Sequence, residues 1–161
     1  MAEFRLLRGE TAFIDDQDAH LVEGHVWHRH SEGYVVRTVG TKYHRKVIWL
    51  HRVIAGFRNP DHRDGDKLNN RRSNLRIANA IQNSANKRKT KNVKSSKFKG
   101  VIFRSADKKW NKDRWVALIK HKVKTKRQIT LGTFNTEIEA ACAYNKAAKR
   151  VFGSYALLNQ I

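Results

Sequence analysis

The chain has 161 residues, enough for one ordinary domain or two small ones, and its 40% hydrophobic and 30% charged composition excludes a generally disordered protein. Lysine and arginine number 34 against 14 aspartate and glutamate, a formal charge of +20 that fits a phosphate backbone and speaks to partners rather than to fold. No long basic amphipathic helix marks a membrane-surface protein, no run of about 18 apolar residues marks a membrane span, and the N-terminus is too poor in apolar residues for a signal peptide.

From Phe4 to Leu50 the pattern predicts short strands. Asp15 and Asp16 open a short helix toward Val22, which Gly24 stops. His25 to His30 and Tyr34 to Thr38, separated by Ser31-Glu32-Gly33, read as a hairpin. His25, His28 and His30 form a local cluster, but positions three apart do not share a strand face, so a solvated or phosphate-facing hairpin is the simpler reading than a metal site. Tyr43 to Leu50 reads as a strand, alone or leading into a helix over 51–57.

Leu50 to Lys87 carries the chemistry. It places Asp61 beside His62, then Asn74 twelve residues on, then Asn83 nine residues later. One carboxylate, one imidazole and spaced carboxamides can hold a single hard metal ion beside a proton acceptor. Asp61, Asp64 and Asp66 superficially look like a calcium loop, but the spacing is wrong for an EF-hand, and Gly65 serves a tight turn. Asn74 to Ala78 is a short strand, and Asn79 with Gln82 forms a capping-box pair opening a helix that carries Asn83 and Asn86. Lys87 to Lys97 has six basic residues, no acid and almost nothing to bury, so it reads as an interdomain linker whose Lys87, Arg88, Lys89 and Lys91 follow phosphates.

Beyond Phe98 three strands are predicted, over 99–104, 115–121 and 127–131, with Trp115, Ala117 and Ile119 on one face and Val116, Leu118 and Lys120 on the other. Thr136 and Glu139 form a capping box for a helix with Ala140, Tyr144, Ala147, Ala148 and Val151 on one side, ending at Gly153. Cys142, the chain's single cysteine, excludes an internal disulfide and is expected as a small buried or half-buried helix residue. Trp110 reads equally well as a wedge or as an exposed anchor.

Two resemblances follow from these residues. His51-Arg52, Asp61-His62, Asp64-Gly65-Asp66, Asn69-Asn70, Asn74-Leu75-Arg76, Asn83 and Asn86 resemble the HNH endonucleases of phage and intron homing type, which carry Asn in place of the final His; the stretch from Glu10 to His30 resembles the leader that often precedes this motif. Lys99-Gly100-Val101, Trp115-Val116-Ala117, Leu131-Gly132-Thr133-Phe134, Thr136, Glu139-Ala140-Ala141, Ala143-Tyr144, Ala147-Ala148 and Phe152-Gly153 resemble the AP2 DNA-binding module. The implied fold is α+β: a ββα-metal nuclease module with a strand-rich leader over 1–86, a basic linker over 87–97, and over 98–161 a three-stranded antiparallel sheet packed on one helix.

The first resemblance implies a metal-dependent DNA endonuclease that nicks one strand. Asp61 and the amide oxygen of Asn83 would bind Mg²⁺, with Mn²⁺ and other divalent ions possible substitutes; His62 would take a proton from the attacking water, and Asn74 would hold the histidine tautomer and the loop. His51, Arg52 and Asn86 read as structural or supporting residues. The second resemblance, with strand alternation, directs Lys99, Ile102, Arg104, Leu118, Lys120, Gln128 and Thr130 at double-stranded DNA; plant modules carry Arg, Glu and Trp where this chain has Ile102, Leu118 and Thr130, so the base code does not carry over. Tyr144 fits either the core or a phosphate contact. The expected setting is the cytoplasm, with no membrane or protein partner. The alternative is a non-catalytic DNA-binding regulator with a vestigial nuclease module.

Overall fold

The computed structural model describes residues 2–89, 95–106, 112–120 and 128–161. The chain is mixed α and β, with several small antiparallel sheets and few helices, and it divides into two compact units, Met1–Ala78 and Asn79–Ile161.

The N-terminal unit opens with the antiparallel hairpin β1 (Ala2–Arg5) and β2 (Thr11–Ile14), in which Ala12 and Ile14 alternate into the core. The expected helix after Asp15 is a 3-10 turn, Asp16–Leu21. Three strands follow in the order β3 (His28–Arg29), β4 (Val35–Gly40) and β5 (Arg45–Trp49). β5 runs directly into α1 (Leu50–Ala55), which stops at Gly56 in the left-handed conformation, φ 69°, its N–H bonded to the Arg52 carbonyl. β6 (Pro60–His62) pairs antiparallel with β7 (Leu75–Ile77), and a 3-10 turn, Arg72–Asn74, leads into β7. Leu6, Ile14, Trp27, Val35, Leu50, Ile54 and Leu75 make one core; full burial of each aliphatic side chain contributes about 2 kcal/mol.

The C-terminal unit begins with α2 (Ala80–Asn86). Asn79 caps it, accepting from the Ile81 and Gln82 amides while Gln82 reaches back to the Asn79 amide. β8 (Val101–Arg104), β9 (Arg114–Lys120) and β10 (Gln128–Phe134) form an antiparallel sheet in the order β10-β9-β8, backed by α3 (Glu137–Phe152). Thr136 and Glu139 form the expected capping box. Ala140, Ala141, Tyr144 and Ala148 bury against Val101, Ala117 and Ile119; a Cβ on Gly100, φ 73°, would lie 2.0 Å from the Tyr144 ring.

The helix face differs from expectation at two positions. Cys142 is exposed, because two residues past Ala140 is about 200° around the helix. Val151 is also exposed, and Phe152, four residues past Ala148, takes the contact with the core. α2 lies in the second unit. There its C-terminal carbonyls are tied down: Lys99 Nζ donates to Ser84 O at 3.3 Å, to Lys87 O at 2.7 Å and to Ala85 O, and the Leu157 amide also donates to Ala85 O.

Candidate active site

β6 ends on His62, which is 3% exposed and faces Leu75 across the β6–β7 pair. The chain then turns at Gly65, φ 74°, whose amide donates to His62 O. Eight residues after His62, the fully buried Asn70 brings its carboxamide back to the imidazole, Asn70 Oδ1 lying 3.3 Å from His62 Nε2. The orientation of that amide is fixed by its other end, since Asn70 Nδ2 donates to Lys67 O and Leu68 O. The atom offered to the ring is therefore an acceptor, so Nε2 carries the hydrogen and Nδ1 holds the lone pair in the neutral imidazole. Burial pushes His62 below the ordinary histidine range, against the Asn70 bond and the Asp64, Asp61 and Asp66 carboxylates, which pull it up.

Asn74 serves the loop instead of the ring. Its Oδ1 accepts from the Asp64 amide at 3.1 Å, and its Nδ2 donates to Asp64 Oδ1 and Asn69 O at 2.9 and 2.8 Å. Asp64 also accepts from the Asp66 amide and from Asn69 Nδ2. Burial works to raise the Asp64 carboxyl, but these hydrogen bonds outweigh it and hold the group below its usual range. Of the two tasks expected of Asn74, the structure gives it the loop and gives the tautomer to Asn70.

A bank of rings stands beside His62. His51, from α1, is 4% exposed with its ring centroid 5.3 Å from that of His62; Tyr34 lies 4.8 Å from His51 and 5.9 Å from His62. Trp49 continues the row and meets His30, whose Nδ1 accepts from the Glu32 amide, so one member of the histidine cluster joins the row. His51 Nδ1 is buried without a hydrogen-bond partner, and burial, with His62 and Arg52 nearby, pushes His51 down to about 3. Arg52 is exposed, its guanidinium 5.2 Å from the Trp49 ring.

Asp61 sits directly across the pair from Arg76, whose Nε donates to Asp61 Oδ2 at 3.0 Å; both side chains are 10% exposed. Asp61 and the Asn83 carboxamide are hard oxygen donors, which fit Mg²⁺ or Mn²⁺ chemically. Asn83 and the buried Asn86 lie on α2, in the C-terminal unit. Among the described residues no group of three or more His, Cys, Asp or Glu side chains could hold a metal ion.

In the C-terminal unit, register and alternation put Ile102, Arg104, Leu118, Lys120, Gln128 and Thr130 on the sheet face opposite α3, with Arg104 paired to Arg114, Leu118 to Thr130 and Lys120 to Gln128. Arg114, bonded to Asn135 Oδ1, shares that face and was not anticipated. Lys99 is turned inward onto the α2 carbonyls; burial pushes it down to about 8. Lys89 likewise donates to Ser96 O, Phe98 O and Val101 O. Lys87 and Arg88 are exposed, whereas Lys91 and Trp110 lie outside the described residues. Trp115 packs with Phe103 on the core side, and Tyr144 is buried in the core.

Asn70 is the residue whose role sequence reasoning missed: it stood among the residues that carry the HNH resemblance with no task assigned to it. Among the described residues, no helix is long and apolar enough to cross a membrane. No family model matches the chain, and no solved structure does. One curated relative, an uncharacterized HNH endonuclease of Acanthamoeba polyphaga mimivirus, is 30% identical over 169 residues, covering 96% of this chain and 77% of the relative. The order Asp61-His62, Asn74, Asn83 and a match of that extent agree: the chain belongs to the HNH endonuclease family.

Proposed function

We propose that the protein is a Mg²⁺-dependent DNA endonuclease of homing type that nicks one strand by phosphodiester hydrolysis, targeted by an AP2-like C-terminal sheet. The observation that carries this reading is the buried His62, fixed by Asn70 so that Nδ1 is its acceptor and kept below the ordinary histidine range. A neutral imidazole at neutral pH is what a general base must be. His62 Nδ1 takes a proton from water as its oxygen bonds to phosphorus and the bond to the 3′ oxygen breaks. Asp61 and the Asn83 amide oxygen would hold the cation, which would supply Lewis-acid stabilisation of the phosphate. Asn74 keeps the Asp64–Asn69 loop shaped beneath the base. The face bearing Arg104, Arg114 and Lys120 presents positive charge in a sheet, a form that enters DNA grooves.

The test is a supercoiled plasmid carrying candidate target DNA, incubated with Mg²⁺, with EDTA, and with the His62→Ala variant. Metal-dependent conversion to open circle, lost in the variant, is expected. Cutting that survives loss of His62 would place the active site elsewhere. Tight, salt-sensitive binding without any cutting would make the protein a regulator.

A further inference from the structure

We infer that the N-terminal leader, Thr11 to Leu21, is a positioning element of the active site, and that Asp18 is its anchor, acting through Arg72 on Asn70. The inference rests on His62 being the base. β2 does not end at its hairpin partner. The Phe13 amide donates to Leu68 O at 2.9 Å, the Asn70 amide donates to Phe13 O at 2.8 Å, and the Arg72 amide donates to Asp15 Oδ2 at 2.8 Å. Residues 68, 70 and 72 are thus bound in alternation, with Phe13 bridged in parallel to Asn69. The leader adds to the loop as a short parallel strand.

Register on such a segment decides which way a side chain points, because a slip of one residue turns every side chain to the other face. Asn70 has one useful face, toward His62 Nε2. Two backbone hydrogen bonds are a weak hold on register. The stronger hold is Asp18, fully buried and paired bidentately with Arg72: Nε to Oδ2 at 2.9 Å and Nη2 to Oδ1 at 2.7 Å. A buried carboxylate is costly unless paired, and such pairs are better explained by the arrangement they specify than by stability. Arg72 lies two residues beyond Asn70, so the pair clamps the strand one step from the amide that faces the base.

The decisive experiment uses the full chain without divalent cation. Long-range ¹H–¹⁵N spectra of His62, assigned by their loss in His62→Ala, report which ring nitrogen carries the hydrogen. The unaltered protein should show the Nε2–H form. The double variant Asp18→Ala/Arg72→Ala removes both charges at once. It should unfold as cooperatively as the parent but show averaged tautomers, and in a separate assay with Mg²⁺ its nicking kcat should fall about 10- to 100-fold with KM within about twofold. Asp18→Asn, which keeps the shape and an acceptor, should recover most of both. A folded double variant with the parent's ¹⁵N signature and rate would overturn the inference. If the double variant does not fold, Arg72→Gln, at a half-exposed position, carries the same test: an unchanged signature there overturns it equally. An unaltered protein that shows the Nε2–H form but never cuts DNA would remove the endonuclease reading and leave the leader's hold on Asn70 standing.

Discussion

The N-terminal unit buries polar groups, the candidate base His62 among them: Asp18, His51, Asn70 and Asn74 are the others. The contact between α3 and the C-terminal sheet is apolar, with Ala140, Ala141, Tyr144 and Ala148 of the helix against Val101, Ala117 and Ile119 of the strands. An apolar contact is satisfied by many arrangements of similar volume, but a buried carboxamide or imidazole is satisfied only where its partner's atoms lie. The first unit therefore fixes individual atoms, as a reaction centre needs. The second fixes a plane, and leaves the other side of that plane to carry charge.

The sharpest way to break the contrast is to delete the base. His62→Ala should lower the nicking rate by about 10²- to 10⁴-fold, the range for general-base loss, while binding to the same DNA in EDTA stays within about twofold. A comparable loss of binding would mean His62 organises the unit instead of reacting in it.

Acid should act on the first unit before the second. His51 titrates at about 3 in the folded chain against 6.5 when exposed, and His62 is lowered in the same direction. Below 6.5 the unfolded chain binds protons that the folded chain refuses. Stability is therefore whole above about pH 6.5 and falls as pH drops toward 3, by about 1.4 kcal/mol per pH unit for His51 alone. Urea unfolding at pH 7 and pH 5, followed by near-ultraviolet circular dichroism, should show the loss, and His51→Phe should flatten it.

Gly100→Ala strikes the second unit instead. The added methyl would meet the Tyr144 ring at 2.0 Å and Leu118 O at 2.6 Å, at a left-handed φ that alanine resists. The expected cost is about 3 kcal/mol, read as a lower denaturation midpoint. The ¹⁵N signature of His62 should not change. If it does, the two units are not independent in the way their contrast implies.

How much of this was legible depended on how local each determinant is. The capping boxes of Asn79 with Gln82 and Thr136 with Glu139 join residues three positions apart and stood in the sequence. The alternation of β9 also fixed which of its residues face α3. The role of Asn70 could not be read, because it depends on a loop folding back to Phe13, far away along the chain. The inward turn of Lys89 and Lys99 was hidden for a related reason: a sequence displays the charge of a lysine but not the backbone carbonyls that fold around it. Cys142 erred by angle alone, two residues from an alanine that is buried.

Those lysines supply the smallest effect and the closest test of what a basic residue does here. Arg104 and Lys120 lie on the open sheet face, so replacing either with alanine should weaken DNA binding a few-fold, alike across sequences, and lower the slope of log affinity against log salt by about 1. Lys99 carries the same charge, but its ammonium is held by the Ser84, Ala85 and Lys87 carbonyls. Lys99→Met should therefore leave the salt slope unchanged and cost stability of about 1 to 3 kcal/mol through the lost helix cap. Lys89→Met should behave in the same way, since its three partners are also carbonyls. Salt titrations of all four variants on one duplex separate the classes. If Lys99→Met lowered the slope as Arg104→Ala does, its ammonium would leave those carbonyls for phosphate when DNA binds, and the end of α2 would have to open to release it.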